Sequence, residues 1–168
     1  MYDKRIQWIY NLIDTFLSTI RVLFSSHLKK TQQIQKKNDK CILLGNGPSL
    51  LETMKKYEST ISDYDIIAVN QMAVTDEFEK YKPCAYVIAD PGYWYDKNHE
   101  ESFSQADELF EALTKKTNWD LLLYVPHQAD KKIIVDKLCK NSNIKIVFYN
   151  KTSFNGFSKI AYFIYNRQ

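Results

Sequence analysis

Five short apolar runs, CILLG (41–45), DIIAVN (65–70), CAYVIAD (84–90), DLLLYVP (120–126) and IKIVFYN (144–150), constrain this chain more than any other feature. Runs this short and this continuously apolar suit strands of a parallel sheet covered on both faces. Helical patterns separate them, at 49–57, 73–81, 99–116 and 129–140. Strand and helix in regular alternation build βαβ units. The expected fold is therefore α/β: a Rossmann-like open, mainly parallel sheet of about five strands with flanking helices.

An amphipathic helix precedes that sheet. Within residues 1–28, the segment 5–28 spaces Ile6, Ile9, Ile13, Phe16, Leu17, Ile20, Leu23 and Phe24 helically, with Asp14, Ser18 and Arg21 on the other side. Residues 29–40, KKTQQIQKKNDK, read as a basic, solvated linker. The domain proper is expected over 41–168, and a chain of 168 residues fits one such domain.

Charge narrows the partners. The net formal charge is only +3, too small a field to argue for nucleic acid, and the positive charge is concentrated near the front. There Trp8, Phe16 and Phe24 stand beside Lys29, Lys30, Lys36, Lys37 and Lys40, so residues 5–40 suit an anionic membrane surface. The bland reading is equally open: the helix packs on its own sheet or pairs with another copy in a homo-oligomer. No segment reaches the roughly 20 apolar residues that span a bilayer, and no small-residue cleavage site follows the first helix. The expected location is cytoplasmic, with a peripheral position on the inner face of the cytoplasmic membrane if the helix binds lipid. Cys41, Cys84 and Cys139 are widely spaced without a CxxC pair, which suits buried reduced thiols and no zinc site.

The turn after the first run carries the chemistry. In GNGPSL, Gly45 ends the strand, Gly47 permits a conformation closed to other residues, and Pro48 takes the first helical position. A helix start of this kind attracts a phosphate or another anion, although any parallel α/β protein wants glycines there. A dinucleotide fingerprint would need a third glycine where Leu50 stands and an acid where Asn70 stands. A P-loop would need Lys followed by Ser or Thr, and Pro48, Ser49 and Leu50 follow Gly47 instead. NAD and P-loop ATP are disfavoured.

Other polar residues converge on the same sheet edge. Asn46, Asn70 with Gln71, and Asp90 with Pro91 and Gly92 all fall at strand carboxyl ends, where open α/β sheets bind ligands. Asn donates and accepts at once, which matches a nucleobase edge or ribose hydroxyls, yet each of these residues alone is an ordinary turn residue. Tyr93, Trp94 and Tyr95 could stack on a base, but packing is the better expectation.

GNGPSL after a strand, VNQM ending the next, KPCAYVIADPGYW and the late IYNRQ together resemble the bacterial lipooligosaccharide sialyltransferase family. They also resemble a related group of proteins with a 6-hydroxymethylpterin diphosphokinase-like branch. The resemblance covers 41 to about 168 and leaves the first helix outside. It implies a Rossmann-like fold, a CMP-sugar donor as substrate, inverting transfer to a sugar hydroxyl, and neither cofactor nor metal. Carried over by position, Gly45, Asn46, Gly47 and Ser49 surround the nucleotide, Asn70 binds ribose or base, and Asp90 lines the pocket.

Two departures accompany the resemblance. The family carries Asn where this chain has Asp90, and a carboxylate beside a nucleotide phosphate repels it, which favours ribose hydroxyls or a different ligand. The family's phosphate-binding tyrosines and general-base histidine lie beyond the segment matching YNRQ, so the resemblance implies a C-terminally incomplete chain with no assignable catalytic residue. His99 and His127 are of the residue type that can act as a base near neutral pH, but they suit loops better than catalysis. The implied function is the nucleotide-sugar binding part of a glycosyltransferase of surface polysaccharide or lipooligosaccharide synthesis. The alternatives are a diphosphokinase-like enzyme, with Asp90 helping to hold a metal on phosphates, and a catalytically dead nucleotide-binding or membrane-associated domain.

Overall fold

A computed structural model describes residues 4–25, 32–45, 47, 49–93 and 100–165. Two compact units divide the chain: residues 32–148 form one, and residues 1–31 with 149–168 form the other.

The larger unit is the α/β sheet. Its strands are β1 (Cys41–Leu44), β2 (Asp65–Val69), β3 (Ala85–Val87), β4 (Leu121–Pro126) and β5 (Ile144–Tyr149), in the spatial order β1-β2-β3-β4-β5, all parallel. The intervening helices are α2 (Leu50–Lys56), α3 (Glu58–Ile61), α4 (Asp76–Tyr81), α5 (Glu100–Lys116) and α6 (Lys131–Leu138), with 3-10 turns at Asn70–Val74 and Pro91–Tyr93. Each apolar run of the sequence becomes one strand, trimmed by a few residues where turn formers take over.

The sequential strand order has a consequence for the site. A chain that always advances the same way across a sheet through right-handed crossovers brings every connecting helix to one face. Consistent with this, α5 packs between the 70–74 turn and α6. The row Leu44, Ala68, Tyr86 and Leu123, aligned across four strands, is accordingly buried. In the neighbouring row Ala85 is buried, but Leu43 is 64% exposed and Ile67 and Leu122 are only half-buried. The two strand faces, both expected to be covered, are therefore covered to different extents.

Under the helices lies one apolar cluster that includes Met54, Ile61, Met72, Phe78, Leu109, Leu113, Ile134 and Leu138. Burying such side chains contributes roughly 1.5–3 kcal/mol each. Phe78 meets the Tyr86 ring edge-on at 5.7 Å and the Trp119 ring at 4.9 Å, and the Trp119 indole N–H donates to the Pro83 carbonyl at 2.8 Å. Residues 32–40 have no regular structure but are tied to the sheet rather than freely solvated. The buried Asp65 carboxylate accepts from the Lys37 N–H at 3.1 Å and the Asn38 amide at 3.3 Å, and Tyr124 Oη donates to the Gln32 carbonyl at 2.8 Å.

The cysteines correct an expectation. Cys41 and Cys139 are exposed and only Cys84 is partly buried, all three as free thiols. Cys41 begins an edge strand and Cys139 ends α6, where neither faces the core. Burial, and then the Asp65 charge, push the Cys84 thiol up.

In the smaller unit, α1 (Lys4–Ser25) and α7 (Ser158–Tyr165) flank the 149–157 segment. The periodicity of α1 is as read, but its burial is inside out. Ser18 and Val22 are its buried residues, whereas Ile9 is 52%, Phe16 64% and Leu17 55% exposed. The segment around Gly156 accounts for this. Asn155 N–H donates to Ser18 Oγ and Phe157 N–H to Thr15 Oγ1, each at 2.9 Å, while Thr15 Oγ1 donates to the Asn11 carbonyl at 2.6 Å. Gly156 sits at φ +119° with no room for a Cβ, which would lie 2.7 Å from the Thr15 backbone nitrogen. A backbone can approach that closely only over small side chains and through glycine, so the small polar side of α1 turns inward.

Candidate functional site

Gly45, Gly47 and Ser49 follow β1, Asn70 and Gln71 follow β2, and Asp90 lies beyond β3, so each stands at the carboxyl edge of the sheet as its sequence position implied. Asn46, Pro48, Trp94, Tyr95 and His99 fall outside the described residues. Because the strand order never reverses, this edge is a row on three adjacent strands, β1 outermost, rather than a crevice at a topological switch.

No described side chain crowds either glycine of the first turn. Gly156 has a positive φ, whereas Gly47 stands between Asn46 and Pro48, both outside the described residues. A Cβ on Gly45 would sit 4.0 Å from Val69 Cγ2, an ordinary contact, and a Cβ on Gly47 would meet nothing within 4 Å. Gly47 thus leaves its backbone open to close approach from outside.

Helix α2 is a weaker anion site than the sequence suggested. It has only seven residues, the Ser49 side chain makes no capping hydrogen bond, and Glu52 occupies its first turn. The short dipole is already offset by that carboxylate. Beside it lies a cavity of about 420 Å³ lined by Gly45, Gly47, Ser49, Leu50, Met54 and Tyr57 among others. Its size suits a small ligand. Neither Asn70, Gln71 nor Asp90 lines it.

On the second strand Asn70 adopts the left-handed region, φ +55°, which Asn tolerates better than most residues. The backbone there is held by Tyr86, whose hydroxyl donates to the Asn70 carbonyl and accepts from the Ala73 N–H at 3.0 Å. Burial pushes the Tyr86 phenol far up, so it remains a donor throughout the physiological range. Asn70 itself is exposed, and its side-chain amide makes no hydrogen bond to the described residues. Gln71 is half committed: its Nε2 donates to the Gln105 carbonyl of α5 at 3.0 Å, while its Oε1 is buried with no hydrogen-bond partner among the described residues.

Asp90 closes a small turn. Its Oδ1 accepts from Gly92 N–H at 2.9 Å, and the Tyr93 N–H donates to its carbonyl at 3.3 Å. One carboxylate oxygen is spent locally while the side chain stays exposed. Burial first, and then the Asp90 charge, push the Tyr93 phenol up, and Tyr93 packs against the core as expected. His127, after β4, stacks on Phe148 with ring centroids 5.8 Å apart and planes 24° apart. Tyr86 is the positioning residue that sequence reasoning missed. It lies inside an apolar run, where nothing distinguishes it from a core aromatic.

No family model, no curated protein and no solved structure matches the chain.

Proposed function

We propose that this chain is the nucleotide-binding part of a sialyltransferase-like glycosyltransferase, taking a cytidine nucleotide at the carboxyl edge of β1 to β3. One observation carries the reading: a Cβ on Gly47 would meet no described atom within 4 Å, so the turn after β1 leaves its backbone open to a ligand. A glycine costs stability through the entropy of the unfolded chain, and close approach of a ligand to the backbone is a reason to keep one there. The exposed, uncommitted Asn70 amide on the adjacent strand supplies a donor and an acceptor for a base or ribose. The weak anion site at α2 puts the emphasis on the nucleoside rather than on its phosphates.

Calorimetric titration of the full chain with CMP, CMP-sialic acid, ATP and a pterin tests this. Binding of the cytidine nucleotides is expected, weakened at least about tenfold by Gly47→Ala and by Asn70→Gly. Binding of ATP and pterin with no response to CMP would move the assignment to the diphosphokinase-like alternative. No binding of any of the four would leave a domain without nucleotide function.

A further inference from the structure

We propose that the outward apolar face of α1 docks on the surface of an anionic lipid bilayer. The face is a stripe formed by Ile6, Ile9, Ile13, Leu17, Ile20 and Phe24, all exposed, from 38% at Ile20 to 87% at Phe24. At 100° per residue these side chains fall within one third of the helix circumference, and no charged residue interrupts them. The opposite side is already occupied: Thr15 and Ser18 receive the backbone of Phe157 and Asn155. The stripe is therefore the side of α1 that these contacts leave uncovered within its own unit.

Charge decides the occupant. Residues 1–31 and 149–168 carry eight basic and two acidic side chains, a net +6, whereas residues 32–148 carry fifteen basic and eighteen acidic, a net −3. A second copy docked stripe to stripe would bring two units of +6 together, and like charges oppose that contact. An anionic headgroup layer meets the same charge with attraction, while Ile, Leu and Phe enter the acyl boundary. No described helix is long and apolar enough to cross a membrane, so the contact lies along the surface rather than through it.

The test is flotation of the full chain with phosphatidylglycerol-containing vesicles and with pure phosphatidylcholine vesicles. The chain is expected to float with the anionic vesicles at about 50 mM salt and to lose at least about fivefold of that binding at about 500 mM. Ile13→Glu/Leu17→Glu is expected to abolish flotation with an unchanged circular dichroism spectrum, because both positions are exposed and the Thr15 and Ser18 contacts are spared. Arg21→Glu/Lys159→Glu, which leaves the stripe intact, is expected to reduce binding to anionic vesicles only. No flotation at low salt, equal binding to phosphatidylcholine, or undiminished binding by the Ile13→Glu/Leu17→Glu variant would each overturn the proposal. So would sedimentation of a dimer that Ile13→Glu/Leu17→Glu dissolves in a chain that leaves vesicles unbound, which would assign the face to a second copy.

Discussion

The Tyr86 hydroxyl donates to the Asn70 carbonyl and accepts from the Ala73 N–H at 3.0 Å, so a residue of β3 holds the turn that ends β2. Tyr86 is fully buried, and both of its partners are backbone groups of the 70–74 turn. Tyr86→Phe keeps the ring contact with Phe78 and removes both hydrogen bonds. The expected loss is about 1–3 kcal/mol, read as a lower urea midpoint with an unchanged denaturant slope.

Alkaline pH should probe the same hydroxyl. Burial raises the Tyr86 phenol above the ordinary tyrosine value of about 10, and burial raises Tyr93, Tyr124 and Tyr149 in the same direction. Above that value the unfolded chain has released protons that the folded chain still holds, so folding binds protons and stability falls as pH rises. Below it these groups add no slope. Stability should therefore be flat with respect to these tyrosines up to about pH 10 and then decline, by at most about 1.4 kcal/mol per pH unit for each tyrosine. Tyr86→Phe should flatten that decline in urea titrations between about pH 10 and 12.

Asn70 separates backbone need from ligand need. Asn70→Gly retains the left-handed φ of +55° without strain and is expected to leave stability within about 0.5 kcal/mol of the parent. Asn70→Ala keeps a Cβ in the left-handed region, which alanine tolerates less well than asparagine, and should cost about 1 kcal/mol. Thermal unfolding of the two variants checks the order, and a reversed order would contradict the described turn.

Gly156→Ala is expected to release the 149–157 segment from α1. The new Cβ would lie 2.7 Å from the Thr15 nitrogen and 2.9 Å from the Asn11 carbonyl oxygen, backbone atoms that cannot rotate away. The left-handed φ adds about 1–3 kcal/mol of strain. Limited proteolysis should cut α1 faster in the variant, while the β1 to β5 core keeps its protection.

Much of the sheet was legible because strand-forming residues recur in bounded apolar runs. DIIAVN became β2 (Asp65–Val69) and DLLLYVP became β4 (Leu121–Pro126), and the helices between them followed from periodicity. Strand order was not legible, since crossovers of similar length lead equally well to either neighbouring edge. The periodicity of α1 was legible too, but a stripe says only that two faces differ. Which one packs was decided by Gly156, whose close approach selects the small polar face. At the site, Asn70 and Asp90 were readable as polar residues at strand ends, whereas the hydrogen bond from Gln71 Nε2 to α5 was not. Its amide carries no mark in the sequence that tells a ligand contact from a helix contact.

Amide hydrogen exchange of the full chain with and without CMP tests the central claim most directly, because it reports where the nucleotide acts as well as whether it binds. Slowed exchange confined to the residues following β1, β2 and β3, around Gly47, Asn70 and Asp90, is the predicted result. Slowed exchange elsewhere, with these three turns unaffected by saturating CMP, would contradict the placement of a nucleotide at this edge of the sheet.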